Sequence, residues 1–404
     1  VAPISLAERK ILLGVTGSIA CFKVVEWLRL LRGEGAKVSV VMTEAAQRFV
    51  TPLTFAALSG SRVYTHMFDE QGAETIPHIS LARDCDLILI APATAQTMAR
   101  LAQGLADDLL AAVTLASKAR VIVCPAMNSN MYSHPATLAN IERLKSFGYL
   151  VIEPECGKMA CGEEGPGRLV QWETARDIVL SCMAPQDLAG QQIIVTAGPT
   201  REPIDPARFL SNRSSGKMGY ALARTAKMRG AEVTLISGPS PLQEPTGVKV
   251  IHVTTASQML DAVMRLREKA TIIVKAAAVS DFRAKETSSR KIKKQHTRLH
   301  LELEQNTDIL AALGDLKKSP DCPPLLVGFA AESHNIVEEG LLKLQSKNLD
   351  LLAVNDISRK DSGFEADTNR VILLDRDGGQ VELPLLSKEE CAHRIWDRVK
   401  KFIS

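Results

Sequence analysis

Strand and helix alternate along this sequence, and the alternation predicts an α/β fold of two Rossmann-like domains, each built on a doubly wound parallel sheet. Three observations carry that prediction. Short apolar runs of strand length recur, each followed by an amphipathic stretch of helical period. The runs are apolar almost throughout, as expected of strands covered on both faces. The pattern also restarts near the middle, where Gln192-Ile193-Ile194-Val195-Thr196-Ala197 leads through Gly198-Pro199 into a new helix, so the chain carries two machines.

In the first half, Lys10 to Val15 is an apolar strand that stops at Thr16-Gly17-Ser18-Ile19-Ala20. An amphipathic helix follows to about Leu31 and is ended by Gly33 and Gly35. Val38 to Met42, Asp86 to Ile90 and Val121 to Cys124 read as further strands, with helical stretches between them. Ligands on such a sheet sit at the carboxyl ends of the strands. Those ends read Gly17-Ser18, Thr43-Glu44, Ala91-Pro92-Ala93-Thr94 and Pro125-Ala126-Met127-Asn128, all small or polar, and they converge on one crevice.

In the second half, Ser214-Ser215-Gly216 opens a helix from Lys217 to Arg229. Backbone N–H groups at that start can face an anion, with Lys217 adding charge. The segment is not a P-loop, because Met218 follows Gly216-Lys217 and Gly198 lies too far back. Val233 to Ser237, Ile272 to Lys275, Leu325 to Phe329, Leu351 to Val354 and Val371 to Leu374 read as strands. Their ends, Ser237-Gly238-Pro239, Ala276 to Asp281, Gly328 to Glu332 and Asn355-Asp356, outline a second crevice. Met183 to Gly190 follows neither period, which divides the chain into residues 1–184, a linker at 185–191, and residues 192–404.

Composition narrows the function. The 404 residues are 46% apolar and 24% charged, ordinary for a soluble globular protein with two or three domains. A net charge of +3 is too balanced to predict nucleic-acid binding, and no apolar run approaches the roughly 18 residues of a membrane span. The eight cysteines are scattered, and no signal peptide precedes Lys10, so free thiols in a reducing cytoplasm are expected.

Several segments carry chemistry, and each has a bland reading beside the sharp one. Gly14-x-x-Gly17-x-x-Ala20 loosely matches a dinucleotide fingerprint, and Glu44 after the second strand leaves a ribose-binding acid open. A mononucleotide phosphate held by Ser18 and nearby N–H groups suits the small residues better, and a tight turn with no ligand is the plain alternative. From Glu153 to Arg168 the chain is irregular and glycine-rich, with Cys156 and Cys161. That reads as a mobile loop carrying a thiol acid; a zinc knuckle would lack its second ligand pair. His78, after Pro77, is either a surface residue or a catalytic one. The run Lys285, Arg290, Lys291, Lys293, Lys294 and Arg298 is either a solvated loop or a triphosphate contact.

The His78 segment, Pro125-Ala126-Met127-Asn128 and the Cys161 loop, in this order and spacing, resemble the flavin-containing cysteine decarboxylases. Residues 192–404 resemble phosphopantothenate–cysteine ligase. The whole chain is thus similar to the bifunctional phosphopantothenoylcysteine decarboxylase/phosphopantothenate–cysteine ligases of coenzyme A biosynthesis. One departure stands out: the family's Ala-Asn-Asp-Leu is Ala106-Asp107-Asp108-Leu109 here, and an ionised Asp107 cannot donate as an asparagine amide does.

The resemblance implies two reactions. In the first, FMN oxidises the cysteine thiol to a thioaldehyde, which gives the carboxylate an electron sink; carbon dioxide leaves, and the enethiolate is protonated and reduced again. By the same resemblance Cys161 delivers the proton, Asn128 holds the substrate carboxylate, and His78 works at the flavin and thiol face. Gly17, Ser18, Ile19, Thr43, Ala93 and Thr94 would bind FMN. In the second, CTP with Mg2+ activates 4′-phosphopantothenate as an acyl-cytidylate that L-cysteine attacks. The CTP contacts fall on Ala277, Asp281, Lys291, Asn306, Thr307, Asp308, Ile309, Leu310, Phe329, Lys343 and Lys347. Lys291 and Asn212 are implied as catalytic, and Arg208 and Asn212 as contacts to the phosphopantothenate or its acyl-cytidylate. Lys343 and Lys347, four apart on a helix, would share one face and clamp one anion. The family also implies a homo-oligomer, most simply a dodecamer that combines trimeric and dimeric contacts. A flavoprotein-fold binding or regulatory module with only the ligase half active is the rival reading, and retained His78, Asn128 and Cys161 count against it.

Overall fold

The computed structural model describes residues 5–68, 76–160, 162–293, 300–317, 324–332, 334–356 and 366–403. They form two compact units, residues 5–182 and residues 183–403.

The first unit runs β1 (Lys10–Val15), α1 (Cys21–Gly33), β2 (Lys37–Met42), α2 (Pro52–Ser59), β3 (Val63–Tyr64), α3 (Pro77–Arg83), β4 (Leu87–Ala93), α4 (Ala95–Gln103), α5 (Leu109–Ala116), β5 (Arg120–Pro125), α6 (Ser129–Ser133), α7 (Pro135–Ser146), β6 (Leu150–Val151), β7 (Glu155–Lys158), β8 (Glu164–Arg168) and α8 (Trp172–Met183). Its sheet is parallel throughout, in the order β3-β2-β1-β4-β5-β6. Leu12, Ile88, Ile90, Val121 and Val123 point to one face, where Met98 of α4, Leu110 of α5 and Leu144 of α7 cover them. The glycine-rich segment expected as an irregular loop is instead the antiparallel hairpin β7–β8. Its glycines allow close backbone approach: Gly167 has φ near +153°, and its carbonyl accepts the Met127 N–H at 3.0 Å, docking the hairpin on the loop after β5.

The second unit runs β9 (Gln192–Ala197), β10 (Arg201–Asp205), β11 (Arg208–Ser211), α9 (Lys217–Met228), β12 (Glu232–Ser237), β13 (Lys249–His252), α10 (Ala256–Leu266), β14 (Ile272–Lys275), β15 (Phe282–Ala284), β16 (Leu303–Gln305), α11 (Ile309–Leu316), β17 (Leu325–Glu332), α12 (Ile336–Ser346), β18 (Leu351–Asp356), β19 (Thr368–Asn369), β20 (Val371–Asp375), β21 (Gln380–Glu382), β22 (Leu386–Ser387) and α13 (Lys388–Val399). The large sheet has the order β13-β12-β9-β14-β17-β18-β20-β21. It is parallel from β13 to β18, as the sequence predicts. An antiparallel edge follows, because β20 and β21 form a hairpin closed by the turn at Asp375–Gly379.

Alternate residues of β9 show the double winding. Ile193, Val195 and Ala197 pack with Leu222 of α9 and Trp396 of α13, whereas Ile194 packs with Met259 of α10, Leu310 of α11 and Leu344 of α12. The segment expected as a linker lies on this unit. Leu188 is fully buried in its core, and Asp187 holds the buried Arg229 through two contacts of 2.8 Å. Among the described residues no helix is long and apolar enough to cross a membrane.

Candidate functional site

Thr16 ties the carboxyl ends of β1 and β4 together. Its hydroxyl donates to the Pro92 carbonyl at 2.6 Å and accepts the Thr94 N–H at 3.0 Å. These strands flank the point where the strand order reverses, which is where an open α/β sheet leaves a crevice. Gly17 follows where a Cβ would lie 2.5 Å from that of Ala45. The neighbouring hydroxyls serve their own turns: Ser18 accepts the Ala20 N–H at 3.3 Å, Thr43 that of Ala46 at 3.4 Å, and Thr94 caps α4 by accepting the Thr97 N–H at 3.2 Å.

A cavity of about 530 Å³ is lined by Ser18, Ile19, Phe22, Lys23, Met127, Asn128, Lys158, Met159 and Arg168, among others. Three of the residues expected from the sequence, Ser18, Ile19 and Asn128, line it. Gly17, Thr43, Ala93 and Thr94 stand at the adjacent strand ends, outside its lining. Asn128 spends both ends of its amide: Oδ1 caps α6 by accepting the Asn130 N–H at 2.8 Å, and Nδ2 donates to Glu163 Oε2 at 2.5 Å. Apolar walls interrupted by Lys23, Lys158 and Arg168 fit a planar ring that carries a phosphate. Sequence reasoning passed over these three cations, because a lysine inside an amphipathic helix or a hairpin reads as solvated.

His78 does not line this cavity. It is half-buried on α3, and its Nδ1 is enclosed with no hydrogen-bond partner among the described residues. Cys161 lies outside the described residues, as do Lys294 and Arg298 of the basic run. Asp107, the departure from the family pattern, meets Arg100 Nε at 2.6 Å, and the same guanidinium holds Asp108 at 2.7 Å. Asp108 in turn caps α5.

In the second unit a cavity of about 270 Å³ lies at the carboxyl ends of β14, β17 and β18. It takes in Asn212, Ala277, Asp281, Leu310, Phe329, Lys343 and Lys347 of the expected set. Asn212 is held across from the β14 end, its Nδ2 donating to the carbonyls of Ala278 and Val279 at 3.2 and 3.0 Å. Ala277 is fixed by its N–H to Thr196 Oγ1 at 3.2 Å. Lys343 and Lys347 both reach the cavity but are clamped separately, Lys343 by Glu332 and Lys347 by Asp308 at 2.6 Å.

Asn306, Thr307, Asp308 and Ile309 shape the cavity rather than line it. Asn306 is buried and donates to the Ser280 carbonyl at 2.9 Å, Thr307 is exposed, Asp308 caps α11, and Ile309 belongs to the core. Arg208 and Lys291 lie outside the lining as well. Arg208 is bound to Asp205 at 2.6 Å and donates to the Ile292 carbonyl at 3.0 Å, while Asp205 accepts the Ile292 N–H at 3.1 Å. Hydrogen bonding from Arg208 holds the buried Asp205 carboxyl well below the usual carboxylate range. The two residues thus anchor the backbone beside Lys291.

The cavity also contains Asn355, expected only as a strand end, and three residues given no role from the sequence, Lys275, Asn369 and Lys388. Burial pulls the Lys275 ammonium below its ordinary range. Signals existed for Lys275 and Asn355, both at predicted strand ends. None existed for Asn369 and Lys388, which the antiparallel edge and α13 bring in from the far end of the chain. Among the described residues no group of three or more histidine, cysteine or acidic side chains is placed to hold a metal ion.

Comparison with known proteins places both units. Residues 3–183 match the family model described as Flavoprotein, and residues 188–403 match the DNA/pantothenate metabolism flavoprotein C-terminal domain. The chain is 45% identical over 398 residues to the coenzyme A biosynthesis bifunctional protein CoaBC of Bacillus subtilis (strain 168), covering 98% of this chain and 97% of that one. It is also 45% identical over 399 residues to the protein of the same name from Escherichia coli (strain K12), with the same coverage. Among solved structures, the C-terminal domain of a CoaBC protein shares 40% identity and covers 54% of this chain and 98% of its own, with a TM-score of 0.46. With two family models in tandem and near-complete overlap with these relatives, the chain belongs to the family of bifunctional coenzyme A biosynthesis proteins.

Proposed function

We propose that the second unit joins 4′-phosphopantothenate to L-cysteine through an acyl-cytidylate made from CTP, and that the first unit decarboxylates the product to 4′-phosphopantetheine with FMN. The chain is a bifunctional enzyme of coenzyme A biosynthesis, a ligase and a decarboxylase. The observation that supports the residue assignments best is that each unit has its cavity at the carboxyl ends of its parallel strands, lined by residues the sequence had marked for each reaction.

In the ligase cavity, Lys343, Lys347 and Lys275 hold nucleotide phosphate charge, with Mg2+ carried on the phosphates. Asn212 positions the acyl group beside the Ala278 and Val279 carbonyls it already grips. Lys291 reaches the phosphates from a backbone anchored by Asp205 and Arg208. In the decarboxylase cavity, bound flavin supplies the two-electron exchange that turns the thiol carbon into an electron sink. Asn128 binds the departing carboxylate, Cys161 returns a proton to carbon, and Lys23, Lys158 and Arg168 balance anionic groups. His78 acts from outside this lining, which suits a site completed by a second copy of the chain. Ile19 and Phe22 line the cavity and are still 59% and 60% exposed, as residues covered by a partner would be.

The deciding assay separates the half-reactions: CMP release and cysteine consumption with 4′-phosphopantothenate and CTP, then carbon dioxide release. Lys291→Gln is expected to slow CMP release ~10- to 100-fold, the weight of one charge-assisted contact of about 1.5–3 kcal/mol at the transition state. Lys285→Gln, whose ammonium is taken up by Glu302 at 2.6 Å, is expected to stay close to wild type. Equal small losses for both would remove Lys291 from the CTP site. On assembly, a native mass about twelve times the 43.9 kDa chain is expected. A monomer with flavin bound and both activities intact would refute the shared cavity.

A further inference from the structure

One enclosed carboxylate holds two segments that carry expected substrate contacts. Asp205 ends β10, and none of its side chain is exposed. Its Oδ1 accepts the N–H groups of Ala207 and Arg208 at 2.8 and 2.9 Å, which closes the turn into β11. Its Oδ2 meets three other donors: Nε and Nη2 of Arg208 at 3.0 and 2.6 Å, and the Ile292 N–H at 3.1 Å. The same Nη2 donates to the Ile292 carbonyl at 3.0 Å, so carboxylate, guanidinium and both backbone groups of Ile292 form a closed set. Oδ1 serves the turn alone, whereas Oδ2 reaches across more than 80 positions of sequence.

Arg208 opens β11, and that strand delivers Asn212 to the cavity, where its amide grips the Ala278 and Val279 carbonyls. The Arg208 side chain is 44% exposed although the acid it holds is enclosed. Nε and Nη2 face Asp205, and Nη1, on the other side of the guanidinium, has no partner among the described residues. A planar fork fixed along one edge keeps its free edge aimed, which is how an arginine presents itself to an incoming carboxylate or phosphate.

Lys291 stands on the other segment, immediately before Ile292. That segment is pinned a second time at Ser288, whose N–H donates to the Ile204 carbonyl at 3.0 Å and whose hydroxyl donates to the Arg290 carbonyl at 2.6 Å. The backbone of Lys291 is thus held from both sides, while its exposed ammonium has no partner among the described residues. An anion that engages Arg208 acts on the carboxylate and the carbonyl that fix Ile292. Order imposed on one segment is therefore shared by the other, and a second ligand meets a contact already in place.

We propose that Asp205 is a positioning residue that couples the two substrate sites of the ligase, acting through Arg208 on the phosphorylated acid and through Ile292 on the nucleotide contact of Lys291. The proposal rests on the ligase reading above and adds to it an energetic link: each substrate strengthens binding of the other, and Asp205 carries the link.

Coupling is measured by calorimetry on the full-length protein with 4′-phosphopantothenate and α,β-methylene-CTP, whose bridging carbon blocks release of the β- and γ-phosphates and so keeps both ligands intact. In the wild type each ligand is expected to tighten the other ~10-fold, by equal factors as linkage requires. Asp205→Asn keeps Oδ1 for the turn but sets an NH2 where Oδ2 faced three donors, so coupling should fall to within about twofold of none. Lys291→Gln should abolish it too, and the double variant should lose no more than either single one. Lys285→Gln, on the same basic run, should keep it. The wild-type and Lys291→Gln arms leave the enclosed carboxylate untouched, and a melting temperature recorded for every variant separates loss of fold from loss of coupling. A wild type without coupling, an Asp205→Asn protein that melts lower yet keeps the ~10-fold factor, or a Lys291→Gln protein that keeps it would each overturn the proposal. Failure of the wild type to bind either ligand would instead sink the ligase reading itself, and the proposal with it.

Discussion

Replacing Asn128 by aspartate is expected to abolish decarboxylation, lowering kcat/KM at least ~100-fold while the first unit stays folded and keeps its flavin. The structure lets these effects separate. Asn128 Oδ1 caps α6, and aspartate caps a helix as well as asparagine does, so the local fold is kept. The Nδ2 side is different. There the amide donates to Glu163 Oε2 at 2.5 Å and faces the cavity where the substrate carboxylate would bind. Aspartate would set a carboxylate against Glu163 and against the incoming carboxylate, losing a donor and adding two repulsions. One charge-assisted contact is worth about 1.5–3 kcal/mol, and the repulsion adds to it, which gives the expected factor. Asn128→Ser, which keeps a capping oxygen without the charge, should fall between the two. Carbon dioxide release and the flavin absorption band are measured together. Wild-type release from a yellow Asn128→Asp protein would remove Asn128 from carboxylate binding.

Much of this architecture was legible because its strands are continuous apolar runs covered on both faces. Lys10–Val15 and Ile272–Lys275 were delimited from sequence to the residue, and their small or polar ends marked both cavities. What escaped depended on contacts distant in sequence. The β7–β8 hairpin reads as an irregular loop because its glycines serve close backbone approach at Met127 rather than a turn. Lys388 opens an amphipathic helix with acidic neighbours, Glu389 and Glu390, and so reads as solvated. Only the antiparallel edge of the sheet carries it and Asn369 to the ends of strands that come much earlier in the chain. Lys291 is the opposite case. The charge run was visible, but the clamp of Asp205 and Arg208 on Ile292, which holds the backbone next to Lys291, joins residues more than 80 positions apart.

The same kind of long-range contact sets the start of the second unit, and here the expected effect is on stability. A fragment beginning at residue 183 is expected to melt cooperatively, whereas one beginning at residue 192 should melt more than ~10 °C lower or show no transition. Residues 186–191 lack any periodic pattern, but they are stitched to α9 and β12. The Leu188 N–H donates to the Arg229 carbonyl at 3.0 Å, Gln186 Nε2 to the Met228 carbonyl at 3.1 Å, and the Glu232 N–H to the Gln191 carbonyl at 2.9 Å. Leu188 is fully buried, and deleting such a side chain costs about 2–5 kcal/mol. Arg229 is 1% exposed and is held by Asp187 on one side and by Asp397 at 2.9 Å on the other. Losing Asp187 leaves half of that guanidinium unmatched, and breaking a buried pair from one side costs about 3–5 kcal/mol at most. Together these losses approach the whole stability of an ordinary domain, about 5–15 kcal/mol. Arg229→Met in the longer fragment isolates the charge contribution: it leaves Leu188 in place but removes the guanidinium that Asp187 and Asp397 share, leaving Asp187 to Lys400 at 3.2 Å, so its melting temperature should fall by several degrees. The check is thermal denaturation followed by circular dichroism. Equal melting temperatures for the fragments beginning at 183 and at 192 would return residues 185–191 to the role of a plain linker.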